Sequence, residues 1–110
     1  MSREIMMAYE RRGSAAWAVH PGEILKHEFL KPMNITGYRL SKAIDVNAQR
    51  VNDILLKKTG VSADIAIRLG KFFGTSEEFW MNLQAAYELV TAKKILGSKI
   101  TKIKTMTGAA

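Results

Sequence analysis

The chain has 110 residues, a formal net charge of +7 from 17 Lys+Arg against 10 Asp+Glu, and no cysteine. Its length fits one small domain, and a hydrophobic content of 47% argues against wholesale disorder. Disulfide frameworks and cysteine-based zinc sites are excluded, and no apolar run approaches the roughly 20 residues that span a bilayer.

Residues 1–19 form an N-terminal extension with a short amphipathic piece around Ile5, Met6, Met7 and Tyr9. Charges interrupt this start where a signal peptide would be continuously apolar, which predicts a cytoplasmic protein. From residue 20 to residue 91 helix signals follow one another. Pro21 suits a first helical position and Pro32 a stop, which gives a helix over 21–30 with Ile24, Leu25 and Phe29 inward. Thr36 is the N-cap of a helix over 37–43 that points Leu40 and Ile44 inward. Asn47 caps a helix reaching about residue 57. Ser62 caps a fourth, with Asp64 in its first turn, Gly74 past its end, and Ile65, Ala66, Leu69, Phe72 and Phe73 as its buried stripe. Gly70 inside that helix predicts a close approach by a neighbouring helix. Thr75 and Glu78 read as a capping box for a fifth helix, on which Phe79, Trp80, Leu83, Ala86, Tyr87 and Val90 share one stripe. No segment alternates as a strand does, so the expected fold is all-α with five helices. Residues 92–110 carry five Lys and no acid, a basic C-terminal tail expected to be flexible or ordered by a partner.

The second and third of these helices, joined by Ile44-Asp45-Val46, have the spacing of a DNA-binding helix-turn-helix. Leu40, Ile44, Val51 and Ile54 would lock their crossing, Ser41 is small where the helices pass, and Asp45 tolerates the left-handed conformation the turn needs. On a wheel at about 100° per residue, Val51, Ile54 and Leu55 face the core. Gln49 and Asp53 lie opposite, with Arg50 and Lys57 on one flank and Asn52 on the other. Such side chains can read base edges: Arg pairs with guanine, Gln or Asn with adenine, and Asp53 accepts from cytosine or orients Arg50. Arg39, Lys42, Lys57 and Lys58 are placed to hold phosphates. The charge is polarised toward this side, since residues 34–60 carry 5 basic and 2 acidic side chains against 2 and 4 in residues 61–91.

HPGEILKHEFLKP (20–32), the helix-turn-helix and VSADIAIRLGKFFGTSEEFWMNLQAAYELV (61–90), in that order and spacing, closely resemble the HigA-type antitoxins of bacterial toxin–antitoxin modules. The resemblance covers about residues 20–91 and implies a phage-repressor-like helix-turn-helix DNA-binding domain. It also implies a homodimer that represses its own operon through a palindromic operator in double-stranded DNA and neutralises a cognate mRNA-cleaving toxin. Carried over by position, Asn47, Gln49, Arg50 and Asp53 face bases. Thr36, Arg39, Lys42, Lys57, Lys58 and Thr59 face phosphates, the last three in the loop that lies along the backbone. Ser41 and Asp45 stand where the wider family has Ala and Gly, and Gly37 replaces a Gln that often touches phosphate.

Other chemistry finds little support. His20 and His27 lack a third ligand, so capping or rim positions are expected rather than a metal site, and no cofactor is implied. No nucleophile, phosphate loop or convincing carboxylate pair suggests an enzyme. Ile67 and Met81 point away from the buried faces of their helices and mark a possible dimer or toxin surface. A stand-alone phage-like regulator without a toxin, or a toxin inhibitor that has lost operator binding, fits the same residues.

Overall fold

The computed structural model describes residues 19–106, so the N-terminal extension other than Val19, with its amphipathic piece, lies outside the described residues, as do positions 107–110. Helix α1 begins as α-helical Pro21–Ile24, continues as a π-helical turn over Leu25–Leu30 and ends as α-helical Lys31–Met33. It is followed by α2 (Gly37–Ile44), α3 (Ala48–Leu55), α4 (Ala63–Phe73), α5 (Glu77–Leu96) and a 3₁₀ turn over Gly97–Lys102.

Four N-caps explain where these helices start. His20 Nδ1 accepts from the Gly22 N–H at 2.9 Å, Thr36 Oγ1 from Arg39 at 3.0 Å, Asn47 Oδ1 from Gln49 at 2.7 Å and Ser62 Oγ from Ile65 at 3.3 Å. The fifth cap differs from the expected capping box: Ser76, rather than Thr75, accepts the Phe79 N–H, at 3.0 Å. Trp80 is fully buried, and its indole N–H must find an acceptor inside. Thr75 Oγ1 supplies it at 2.8 Å and is thereby withdrawn from the helix end.

Pro32 does not end α1 at residue 30. The Lys31 N–H reaches back five residues to the Lys26 carbonyl, and this wider turn relieves the clash a proline ring makes with the carbonyl four residues earlier. The helix stops only at Asn34, which is left-handed with φ 54°. At the other end of the chain, α5 continues past the expected limit near Val90 to Leu96. Lys93 and Lys94 in its last turn favour the negative end of the helix dipole.

Phe29, Phe79 and Trp80 fill the centre of the core, with the Phe29 and Phe79 rings 4.9 and 5.1 Å from that of Trp80. Leu25, Leu40, Val51, Ile54 and Leu69 close around them, and each such buried side chain contributes about 1.5–3 kcal/mol. Phe72, expected in this stripe, is instead 40% exposed and touches Phe73 edge-on, because α4 turns Ile65, Ala66, Leu69 and Gly70 inward. A Cβ on Gly70 would sit 3.0 Å from the Thr75 carbonyl oxygen, so the expected close approach is made by the entry to α5. A Cβ on Gly22 would overlap the Ile54 carbonyl oxygen. The start of α1 is therefore pressed against the end of α3, which anchors the helix that carries the site.

Candidate nucleic-acid interface

The α2–α3 pair is closed by a turn that two groups hold. Asp45 is left-handed, φ 56°, and ends α2 as expected, with the Val46 N–H bonded to the Ser41 carbonyl at 2.9 Å. Arg68 of α4 reaches across and donates Nη1 to the carbonyls of Ile44, at 2.8 Å, and Asp45, at 3.2 Å. These are carbonyls that a helix end leaves without intrahelical donors. Asp64 orients Arg68 from one turn away by accepting from its Nε. Ser41 is buried and donates to the Tyr38 carbonyl at 2.6 Å, filling the place where the helices pass.

Leu40, Ile44, Val51 and Ile54 are buried, and the opposite face of α3 is polar and open. Asn47, Gln49 and Asn52 are exposed, and Arg50 and Asp53 are half-buried. Asp53 orients Gln49 rather than Arg50: Gln49 Nε2 donates to Asp53 Oδ1 at 2.8 Å. The Arg50 Nη1 donates instead to Thr59 Oγ1 at 2.6 Å, nine residues on, so its guanidinium is held at the edge of the face by the loop after α3.

Lys57 lies beyond the helical wheel on which it was placed, since α3 ends at Leu55. It is left-handed, φ 64°, and turns its ammonium back to Glu23 of α1 at 3.1 Å. That hydrogen bond, together with the charges of Lys57, His27 and Lys26, holds the Glu23 carboxyl below its usual range. Lys58 is exposed and Thr59 half-buried. On α2, Thr36, Arg39 and Lys42 are all exposed, with the Lys42 ammonium 5.2 Å from the centre of the Tyr38 ring. Tyr38 itself is 64% exposed beside α3, an aromatic at this surface that charge and spacing arguments passed over.

The loop from Lys57 to Val61 is fixed from behind. His20 is buried, stands edge-on to Tyr87 with ring centres 4.9 Å apart, and bonds the Thr59 backbone. Burial keeps its imidazole below the usual range, with Lys57 adding to the effect, and His20 caps α1 as expected. Gln84 of α5, also buried, accepts the Val61 N–H at 2.7 Å. Its sequence signal is an amide one position past Leu83, on the side of the helix that carries Trp80 and Tyr87. Among the described residues there is no group of three His, Cys, Asp or Glu that could hold a metal ion, and no helix long and apolar enough to cross a membrane.

No protein-family model matches the chain. Among curated proteins it is 44% identical over 77 residues to virulence-associated protein I of Dichelobacter nodosus, covering 70% of this chain and 71% of that one. It is 41% identical over 71 residues to antitoxin HigA-1 of Vibrio cholerae, covering 64% of this chain and 67% of the relative. Among solved structures, the Pseudomonas aeruginosa antitoxin HigA with the higBA promoter superposes with a TM-score of 0.78 at 48% identity, over 81% of this chain and 98% of that one.

Proposed function

The chain belongs to the HigA family of helix-turn-helix antitoxins, and on that footing we propose that it represses its own operon and neutralises a cognate mRNA-cleaving toxin. It does so in the cytoplasm, as a binder rather than a catalyst. The observation that carries the reading is the open polar face of α3, with Gln49 and Arg50 already oriented by Asp53 and Thr59. Asn47, Gln49, Arg50 and Asp53 read bases. Thr36, Arg39, Lys42, Lys57, Lys58 and Thr59 hold the phosphates on either side. Residues 20–91 supply this domain, and the basic tail adds phosphate contacts that do not depend on sequence.

One short recognition helix reads too few base pairs for specificity, so the working unit is a dimer on a palindromic site. Met81, Ala85, Leu89, Ala92 and Leu96 make an exposed stripe along the outer side of α5. Turned antiparallel about Ala85, two copies set Met81 against Leu89 and the acidic first turn, Glu77 and Glu78, against the partner's Lys93. Ile67, 53% exposed beside Phe72 over a groove of about 470 Å³ between α2 and α4, is then the surface left for toxin.

Mobility-shift titration on the module's promoter tests the DNA reading: tight, salt-sensitive binding that a scrambled duplex does not reproduce is expected, and equal affinity for both rejects it. Light scattering tests the dimer, with Leu89→Asp expected to give a monomer. Ile67→Glu is expected to release toxin while leaving dimerisation intact.

A further inference from the structure

The base-reading face and helix α5 are joined through the loop after α3, which hydrogen bonds fix at Thr59 and at Val61. Gln84, only 9% exposed, directs its amide at the loop after α3: Oε1 accepts the Val61 N–H at 2.7 Å, and Nε2 donates to Glu88 Oε2 at 2.8 Å. The amide lies so close to Gly60 that a Cβ there would overlap it. One residue earlier, Thr59 Oγ1 receives the Arg50 guanidinium at 2.6 Å. Further supports of this loop are the Asp53 carbonyl, which accepts from Lys58 at 2.8 Å and from Thr59 at 3.4 Å, the Lys57–Glu23 ion pair, and His20, which rests on Tyr87 of the same α5. A buried amide that satisfies an otherwise lone backbone N–H has little freedom to move. The loop it holds therefore presents the Thr59 hydroxyl to Arg50 in one place.

We propose that Gln84 is a positioning residue for DNA recognition, acting from α5 through the Thr59–Val61 loop to set the direction of the Arg50 guanidinium. The inference rests on Arg50 being a base-reading residue. Gln84 touches no DNA in this arrangement, and its effect passes entirely through Thr59. Because Glu88 and Gln84 also border the groove on the outer face of α5, with Met81, Ala85 and Leu89, whatever packs there is linked to Arg50 by three hydrogen bonds and the Thr59–Val61 backbone.

The test is a mutant cycle read by operator and scrambled-duplex binding on full-length protein, with melting curves recorded alongside. Gln84→Met keeps the side chain's length and removes both hydrogen bonds. It is expected to weaken operator binding about ten-fold, the lower range for a misaligned arginine–guanine contact, without changing affinity for the scrambled duplex. In an Arg50→Ala background the same substitution is expected to have no further effect. Gln84→Glu combined with Glu88→Gln retains both hydrogen bonds, the second reversed, and is expected to restore operator affinity. Equal loss on both duplexes, additivity with Arg50→Ala, or failure of the paired exchange overturns the proposal. If Gln84→Met does not fold, Gln84→Asn, which withdraws the amide by one carbon, is put through the same cycle. Should Arg50→Ala itself leave operator binding unchanged, the base-reading role has failed; loss with Arg50→Ala but not with Gln84→Met means that only the Gln84 inference has failed.

Discussion

The two cationic regions of this chain are built in opposite ways. Around α3 several cations are tied: Arg50 to Thr59, Lys57 to Glu23, Lys42 over Tyr38, and Arg68 to the turn carbonyls. Past the middle of α5, Lys93, Lys94, Lys99, Lys102 and Lys104 are exposed and have no acidic partner among the described residues. Exposed apolar side chains, Ile95, Ile100 and Ile103, lie between them, and Met106 follows. A cation held in one direction can discriminate between base edges, whereas a free one lowers the energy of any phosphate it meets. The net charge of +7 thus mixes two kinds of charge, and the smaller share is the one held in fixed directions.

The largest effect should come from the core under the tied region. Trp80→Ala, at a fully buried site, is expected to cost about 3–5 kcal/mol in denaturant unfolding, whereas Ile103→Ala should leave the midpoint unchanged. Comparable losses from both would erase the contrast. Next, Arg50→Ala should weaken operator binding by about 1–3 kcal/mol and relax the preference at one base position, read by shift assays on folded protein. Removing residues 97–110, which takes away Lys99, Lys102 and Lys104, should leave sequence preference intact. It should lower the salt slope of binding by up to about 3 units.

Smaller still is Glu23→Gln. The ion pair with Lys57 is partly exposed, so stability should change by about 0–1 kcal/mol, while the freed Lys57 steepens the salt dependence of DNA binding. The last is a pH effect. His20 is held below its usual value of 6.5 by burial, so the unfolded chain binds more protons than the folded one as pH falls through that value. Its contribution to stability is fully present above pH 6.5 and is lost as pH drops through the lower folded value. Melting temperature against pH should show this loss, and His20→Asn, which retains a capping acceptor, should flatten it. The Glu23 carboxyl, also held low, adds its own loss in a more acidic range.

Local chemistry made much of the fold readable from sequence. Thr36, Asn47 and Ser62 cap helices as their types and positions suggest, and Asp45 takes the left-handed turn. The open face of α3 follows from the spacing of Val51 and Ile54 alone. What sequence could not show were partnerships between residues far apart in the chain, because no periodicity encodes them: Arg50 with Thr59, Glu23 with Lys57, Arg68 with Ile44, Gln84 with Val61. The cap at Ser76 was hidden for a similar reason, since it depends on where the Trp80 indole N–H comes to rest. Past Val90 helix α5 has no buried stripe, so apolar spacing does not announce its last turns.

The π-turn in α1 has a consequence for lineage. Such a turn is, in effect, one extra residue accommodated within a helix. Its two ends are independently constrained, Gly22 against the Ile54 carbonyl and Asn34 at the bend toward α2. Deleting a single residue from Leu25–Leu30 would leave a plain α-helix with its two flanks still in register. Relatives one residue shorter in this segment should therefore carry the recognition unit on the same mounting, whereas a gap in the α-helical ends of α1 would turn it.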